Sequence, residues 1–560
     1  MRRVPSLRKV QSHAVVELDD KYGTTVQARL DHMGSGLYQV LLVAAIGGGS
    51  LAISLDSVAA MNTAFARAYS MEDWQRSLLP TLAAMGSMLG LFMAGPLSDW
   101  RGRKVVLVVA LCMTACSHLL LATLPARFVD ASVVLALRFA LGLSTSIQAT
   151  DDTRGWMAKA MADRELPVGM ILAVESCPSS ARAQIIFGIQ MLNALGNVGE
   201  GFLVMNLMPH FGEAASDNWR LYCLFMGSTA LAMVPLMSCL LESPSFLAVK
   251  GDAQTCVQVL DKIARLHGLP PLQDDVKIID EVKEEPMRNL WDIAGVFRSM
   301  IVSHFGLVVM LAMADSSRAF FVLGSAYVWK DLYQLMPPQR VDATVLNVIS
   351  TFAPVVGLII SQRMLRFGVR TIAFVCSLQA AGALMSLMDP QVRSHWRSLL
   401  ACIVLTKMTY GPLHTCLALM KAESFPTEIR VCAFAVISMV AELSGVMGQV
   451  LVEGLKENQN ASSWTAHRLN LFFLLLMCSV LLCGLLTYAT PGQSGDGRKL
   501  REYLPGHELK LGAIRRVRSD GSITDFLEVQ SDSDSDGEQA SMPLRLCPGS
   551  EAGLRGPCWS

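Results

Sequence analysis

Twelve apolar stretches dominate this sequence, each close to the roughly 20 residues that a helix needs to cross a bilayer core of about 30 Å. Six run approximately Tyr38–Met61, Ser77–Ser98, Val105–Pro125, Asp130–Ala149, Gln184–Met208 and Trp219–Leu241. Six more run approximately Met300–Val328, Asp342–Ser361, Thr371–Met388, Ser398–Met420, Val431–Gly454 and Leu469–Thr490. The spacing predicts an all-α membrane protein of twelve transmembrane helices in a six-plus-six arrangement. Composition agrees: 52% of the 560 residues are hydrophobic and only 17% charged, more apolar surface than a soluble core of that length uses.

The formal net charge is zero, which gives no global electrostatic reason to expect a nucleic-acid partner. The fourteen cysteines lie mostly singly inside apolar stretches, as at Cys223, Cys376, Cys402 and Cys478, without a Cys-x-x-Cys or a Cys/His cluster. They read as small hydrophobic residues, so no metal and no cofactor is expected. No nucleophile–base constellation and no phosphate-cradling loop is present in the sequence either, and an enzyme is not expected.

The connecting segments set the orientation. Residues 1–37 form an N-terminal segment whose Arg2, Arg3, Arg8, Lys9, Lys21 and Arg29 precede the first span, and whose first thirty residues lack the apolar core of a cleaved signal. Residues 242–299 are a polar linker in which Thr255, Val259, Ile263 and Leu266 recur at helical spacing, as in an amphipathic helix on a membrane surface. Residues 491–560 turn to Gly, Ser, Arg and Asp, including Ser531-Asp532-Ser533-Asp534-Ser535-Asp536, and are expected to be a disordered tail. All three segments are basic where they meet the membrane, so both termini and the linker are expected in the cytoplasm. The Asn-x-Ser sequon at Asn460 then falls outside. Whether that membrane is the plasma membrane or a vesicle is left open.

The loop after the second span reads Gly95-Pro96-Leu97-Ser98-Asp99-Trp100-Arg101-Gly102-Arg103-Lys104. Glycines allow helices to approach closely, while one carboxylate and several cations link helix ends. The loop resembles the signature of the major facilitator superfamily. Glu175-Ser176-Cys177-Pro178 followed by Arg182, Leu241-Glu242-Ser243-Pro244-Ser245-Phe246-Leu247, and Glu423-Ser424-Phe425-Pro426-Thr427-Glu428-Ile429-Arg430 resemble its motifs after spans four, six and ten. Within that superfamily, Gly34-x-Gly36-x-x-Gln39 is similar to the lead-in of synaptic vesicle glycoprotein 2-related transporters, beside the sugar and organic-ion porters.

The resemblance implies two six-helix bundles, at 38–241 and 300–490, around a central cavity lined by spans one, four, seven and ten. It implies a gating loop of Gly95, Asp99, Gly102, Arg103, Lys104, Glu175, Arg182, Glu423 and Arg430. Three departures stand out. The second-half copy of the signature, Gly357 to Arg370, has Leu365 where a carboxylate belongs, and Ala59 replaces an acidic residue after Asp56. A polar insert at about 150–166 follows span four and cannot face lipid. It reads either as a cytoplasmic insertion, with Pro167–Val174 a short re-entrant or surface piece, or as a mis-joined exon.

A charge near the bilayer centre costs several kcal/mol unless paired or wet, so each intramembrane charge is a candidate site. Asp56 lies about 25 Å from the cytoplasmic end of span one and Arg138 about 12 Å from the outer end of span four, which lets them meet in the outer half. A carboxylate alternately paired and protonated can couple proton movement to transport. Sugar-porter-like symporters use an aspartate on span one and an arginine on span four in this way, and the resemblance puts proton coupling on Asp56 and Arg138. The other reading is a permanent pair that fixes helix packing.

Lys407 and Glu442 both fall near mid-membrane as a second pair. Asp315 and Arg318, three apart on one helix, can neutralise each other locally. On span five, Gln190, Asn193, Asn197 and Glu200 form one polar stripe, suited to binding hydroxyl, amine or carboxylate groups or to hydrogen bonding against span eight. Gln190 also falls where sugar porters resemble one another in carrying a substrate-binding glutamine. Tyr410 and His414 on span ten can line the same cavity.

These features predict a monomeric secondary transporter, in contact with lipid and proton-coupled, for a small organic ion or polyhydroxylated solute. The alternatives are a facilitative uniporter and a transporter-like scaffold or sensor.

Overall fold

A computed structural model describes residues 26–54, 65–66, 68–125, 130–148, 167–207, 218–270, 290–334, 348–455, 464–490, 510–517 and 523–530. Asp56, Ala59, the insert, Asn460 and the acidic tail run lie outside the described residues. The chain divides into two units, Met1–Tyr503 and Leu504–Ser560.

The first unit is helical. A short helix α1 (Val26–Met33) precedes the first bundle: α2 (Leu37–Ser54), α3 (Asp73–Arg101), α4 (Arg103–Thr123), α5 (Ala131–Gln148), α6 (Pro167–Glu175), α7 (Arg182–Leu207) and α8 (Trp219–Ser238). The linker supplies α9 (Pro244–Val249) and α10 (Ala253–Leu266). The second bundle comprises α11 (Leu290–Gln334), α12 (Ala353–Arg363), α13 (Val369–Leu387), α14 (Pro390–Ser394), α15 (Trp396–Lys407), α16 (Tyr410–Ser424), α17 (Thr427–Leu455) and α18 (Ala466–Ala489). Each of the twelve expected spans coincides with one of these helices or with a broken pair of them.

Among the described residues, seven stretches are long and apolar enough to cross a membrane on their own: Leu37–Ser54, Thr81–Arg101, Arg103–Thr123, Trp219–Ser238, His304–Ala326, Val369–Leu387 and Ala466–Ala489. The remaining expected spans map to α5, α7, α12, the α15–α16 pair and α17, which are shorter, broken or more polar. A polar helix is tolerated in a membrane only in the protein interior. Exposed apolar side chains on α4 (Val105, Val109), α8 (Leu224, Leu231), α13 (Leu378, Met385) and α18 (Leu474, Leu485) mark the outer surface. Lipid takes the place of water there, so this exposure carries no cost.

Span ten is two helices, broken at Met408 and Thr409. Pro412 has no N–H and its ring crowds the carbonyl of the residue four before it, which is Met408. That carbonyl turns toward α12, and Gly357 lies so close that a Cβ there would sit 1.8 Å from the Met408 oxygen. Glycine is required at this crossing because the approach leaves no room for a methyl group.

Two expectations are corrected. The piece after the insert is not at the surface: in α6, Val168, Met170, Ile171, Leu172 and Val174 are all buried, and the helix packs against both bundles. Up to Glu175 at its end, its side chains are apolar on every face, so it has no polar side to offer to water. The linker helix α10 buries Cys256, Val259, Leu260 and Ile263 against the protein, while Leu266 is exposed. Its apolar stripe is therefore used for docking to α2 and α9 and is rotated by about one position from the expected face.

The second unit contains β1 (Lys510–Val517) and β2 (Ile523–Gln530), paired antiparallel from Lys510 with Gln530 to Val517 with Ile523. This ladder lies in the tail expected to be disordered. The intervening sequence holds Asp520-Gly521, a pair that favours tight turns, between runs carrying Ile514, Val517, Ile523, Phe526 and Val529.

Candidate functional site

One end of the first bundle is organised around one buried carboxylate. Glu175 ends α6 and is fully buried. Its Oε2 lies 3.3 Å from Nε of Arg103 on α4, and its Oε1 accepts a 2.7 Å bond from Nη1 of Arg430 on α17. The Ser243 hydroxyl donates to Glu175 Oε2 at 2.5 Å. Arg103 also lies 3.5 Å from Asp99 and stacks its guanidinium 4.0 Å from the centre of the Phe246 ring. One acidic group thus joins the two bundles through two arginines. Desolvating three charges is costly, and dense hydrogen bonding is what recovers that cost.

The turn between α3 and α4 explains the glycine motif. Gly102 has φ of 99°, in the left-handed region, and a Cβ there would lie 2.4 Å from Glu242 Oε2. The Glu242 carboxylate accepts backbone N–H bonds from Arg103 at 2.9 Å and Lys104 at 3.2 Å, satisfying the exposed donors at the start of α4. Gly95 brings α3 against α17, where a Cβ would meet the Cys432 sulfur at 2.8 Å. Gly95, Asp99, Gly102, Arg103, Lys104, Glu175 and Arg430 thus lie together at one end of the molecule. Arg182 is also buried, its Nε donating to the Val174 carbonyl at 3.1 Å.

A second polar region lies between the helices. Gln190, Asn193, Asn197 and Glu200 are all buried along α7, as the stripe predicts. Asn193 donates to Gln190 Oε1 at 3.2 Å, and Ser54 of α2 donates to Asn193 Oδ1. Among the described residues, Gln190 Nε2 is buried with no hydrogen-bond partner. The stripe thus meets span one directly at Asn193. Gly196 permits this, since a Cβ there would lie 2.7 Å from the Leu51 carbonyl.

In the second bundle, Asp315 and Arg318 pair at 2.7 Å, the local neutralisation expected from their spacing. A third member was not foreseen. Lys421 of α16 is fully buried, lies 2.8 Å from Asp315 Oδ2, and donates to Ser438 at 3.0 Å. The signal for it was a cation just past the end of span ten, four residues ahead of Phe425. Lys407 donates to Ser350 at 2.6 Å, while Glu442 is half-buried on α17. Tyr410 is fixed by Ser325 at 2.5 Å and the Trp329 indole at 2.9 Å. His414 is wholly buried one turn further on. Arg138 is buried with its guanidinium 5.7 Å from the centre of the Phe65 ring, and its expected partner Asp56 is outside the described residues. No group of three or more metal-ligating side chains occurs among the described residues.

Two six-helix bundles, joined at one end by buried ion pairs and polar along their shared interior, define a multi-pass membrane protein of the major facilitator fold. The proton:xylose symporter XylE, whose inward-open form is known from E. coli, has this fold: its complex with 6-bromo-6-deoxy-D-glucose matches with a TM-score of 0.63 at 18% identity, over 83% of this chain and 98% of the other. The model of the sugar (and other) transporter family matches residues 168–494, and the chain belongs to that family.

Individual relatives are distant. A synaptic vesicle 2-related protein of Rattus norvegicus is 26% identical over 268 residues, 48% of this chain and 42% of its own length. Organic cation/carnitine transporter 7 of Arabidopsis thaliana is 21% identical over 481 residues, covering 77% of this chain and 88% of its own. Solute carrier family 22 member 11 of Homo sapiens is 25% identical over 304 residues, half of this chain and 49% of its own. The chain thus spans less than half the length of the synaptic vesicle 2-related proteins it matches.

Proposed function

We propose that this protein is a secondary transporter that moves a small organic ion or polyhydroxylated solute by alternating access, with protons as the coupling ion. The observation that carries the reading is the Glu175 bridge. A carboxylate shared by Arg103 of one bundle and Arg430 of the other closes the cytoplasmic side through charged contacts that rigid-body rocking can make and break. Above it, Gln190, Asn193 and Asn197 supply amide donors and acceptors, and Tyr410, Lys407 and Asp315 supply a hydroxyl and both signs of charge. That mixture suits a polar solute that has shed its water.

Proton coupling rests on Asp56 and Arg138. Separation from the arginine raises the affinity of the aspartate for a proton, and approach lowers it, so the two states of the bundle differ in protonation. Similar proteins include a proton:xylose symporter and an organic cation/carnitine transporter, whose solutes are of this class.

The test is flux into proteoliposomes holding the purified protein, with labelled pentoses, carnitine and organic anions offered under an imposed pH gradient. Saturable uptake that grows with the gradient supports the proposal. Uptake indifferent to the gradient assigns a uniporter, and no flux of any solute assigns a scaffold or sensor.

A further inference from the structure

The connector between α6 and α7 carries both gate residues, Glu175 at its start and Arg182 at its end, so whatever holds this connector holds the gate. Helix α1 does so. Gln27 is buried, its Oε1 accepts a bond from Arg182 Nη2, and its Nε2 donates to the Cys177 carbonyl at 3.5 Å. The same Nε2 donates to Asp31 Oδ1 at 2.9 Å, and that oxygen accepts the backbone N–H of Ser179 at 2.6 Å. One face of α1, with Gln27 and Asp31 four residues apart, therefore grips Cys177, Ser179 and Arg182 together. Val26 and Leu30 are buried beside them.

We infer that α1 is a clasp on the cytoplasmic gate, in which Gln27 and Asp31 act as positioning residues that hold the Glu175–Arg182 connector where Glu175 meets Arg430. The inference rests on the alternating-access reading and adds to it a control element outside the twelve spans. A glutamine is suited to this place because its amide accepts from a guanidinium and donates to a carbonyl or carboxylate at once. Loss of the clasp leaves the ion pairs chemically intact but lets the connector move, which lowers the population of the closed state.

Cys432 provides the readout. It is buried between the bundles, with its sulfur 3.9 Å from Asp99 and against Gly95, and it becomes accessible from the cytoplasm only when the bundles part there. Full-length protein retaining Cys432 as its single cysteine is reconstituted and labelled from the cytoplasmic side with a membrane-impermeant maleimide. Gln27→Leu and Asp31→Leu are expected to raise the labelling rate about tenfold, the change that about 1.4 kcal/mol produces. Asp31→Asn keeps an acceptor oxygen and is expected to label like the parent. Asp31 is exposed, so its variants do not disturb the core.

Glu175→Gln serves as the reference for an opened gate. If it raises labelling while both leucine variants match the parent, the clasp is overturned and the gate stands. If Asp31→Asn labels as fast as Asp31→Leu, the hydrogen bond is not what positions the connector, and the clasp is again overturned. If Glu175→Gln itself leaves labelling unchanged, the gate reading falls and the clasp with it.

Discussion

Glu175 on α6 and Arg430 on α17 lie 255 residues apart in sequence and 2.7 Å apart in space, both fully buried. On the alternating-access proposal, this pair holds one end of the molecule shut. Removing one partner of a buried pair leaves the other charge desolvated, at a cost of about 3–5 kcal/mol. Glu175→Gln and Arg430→Leu should each lower the melting temperature in detergent. Their double variant should lose far less than the sum, because neither of the two is then buried without the other, while Arg103 keeps Asp99. Additive losses, measured by thermal denaturation, would refute a direct coupling.

Asp56→Asn should abolish uptake driven by a pH gradient while leaving solute counterflow and expression intact. An asparagine cannot take up or release a proton but is close to aspartate in volume. The check is to measure both fluxes in one liposome preparation; unchanged driven uptake refutes coupling through Asp56.

Gln190 carries a buried amide nitrogen with no acceptor, so a solute oxygen is its natural partner. Gln190→Ala should raise KM roughly tenfold, the effect of one lost hydrogen bond of about 1.4 kcal/mol, with little change in stability. A fall in melting temperature with KM unaltered would make Gln190 a packing residue.

Gly357→Ala should be strongly destabilising, since its Cβ would sit 1.8 Å from the Met408 carbonyl oxygen. Gly382→Ala, where a Cβ meets nothing within 4 Å, is the matched control and should be neutral. Folded yield and melting temperature of the two purified variants check this; equal behaviour would mean that spans eight and ten do not cross as described.

Lys421→Met leaves Asp315 with Arg318 alone. Part of the compensation for a fully buried carboxylate is then gone, and stability should drop by a few kcal/mol. Combining it with Asp315→Asn should recover part of the loss, as read by chemical denaturation. No recovery would argue that Lys421 acts through Ser438 and the Phe434 ring instead.

The spans were legible because apolar length is a local property, and the break in span ten was encoded by Pro412, whose missing N–H acts within one helical turn. The Asp315–Arg318 pair was legible for the same reason, at a spacing of three residues on one helix. Lys421 was not, because nothing near it in sequence shows that it faces span seven. The α10 face was misplaced by about one position, since periodicity fixes that a stripe exists more firmly than which neighbour covers it. The motif residues were recognisable, yet the motif did not say that Glu242 would cap α4 or that Glu175 would hold two arginines.

The sequence by itself determined which segments enter the bilayer, which of them carry charge, and where glycine and proline interrupt them. Each of these depends on side chains within a turn or two. The tertiary structure alone decided that α6 is buried, that α1 grips the Glu175–Arg182 connector, and that Lys421 reaches Asp315. Those choices depend on how helices distant in sequence pack, because a charge in an apolar interior is stabilised only by the partners that packing brings to it.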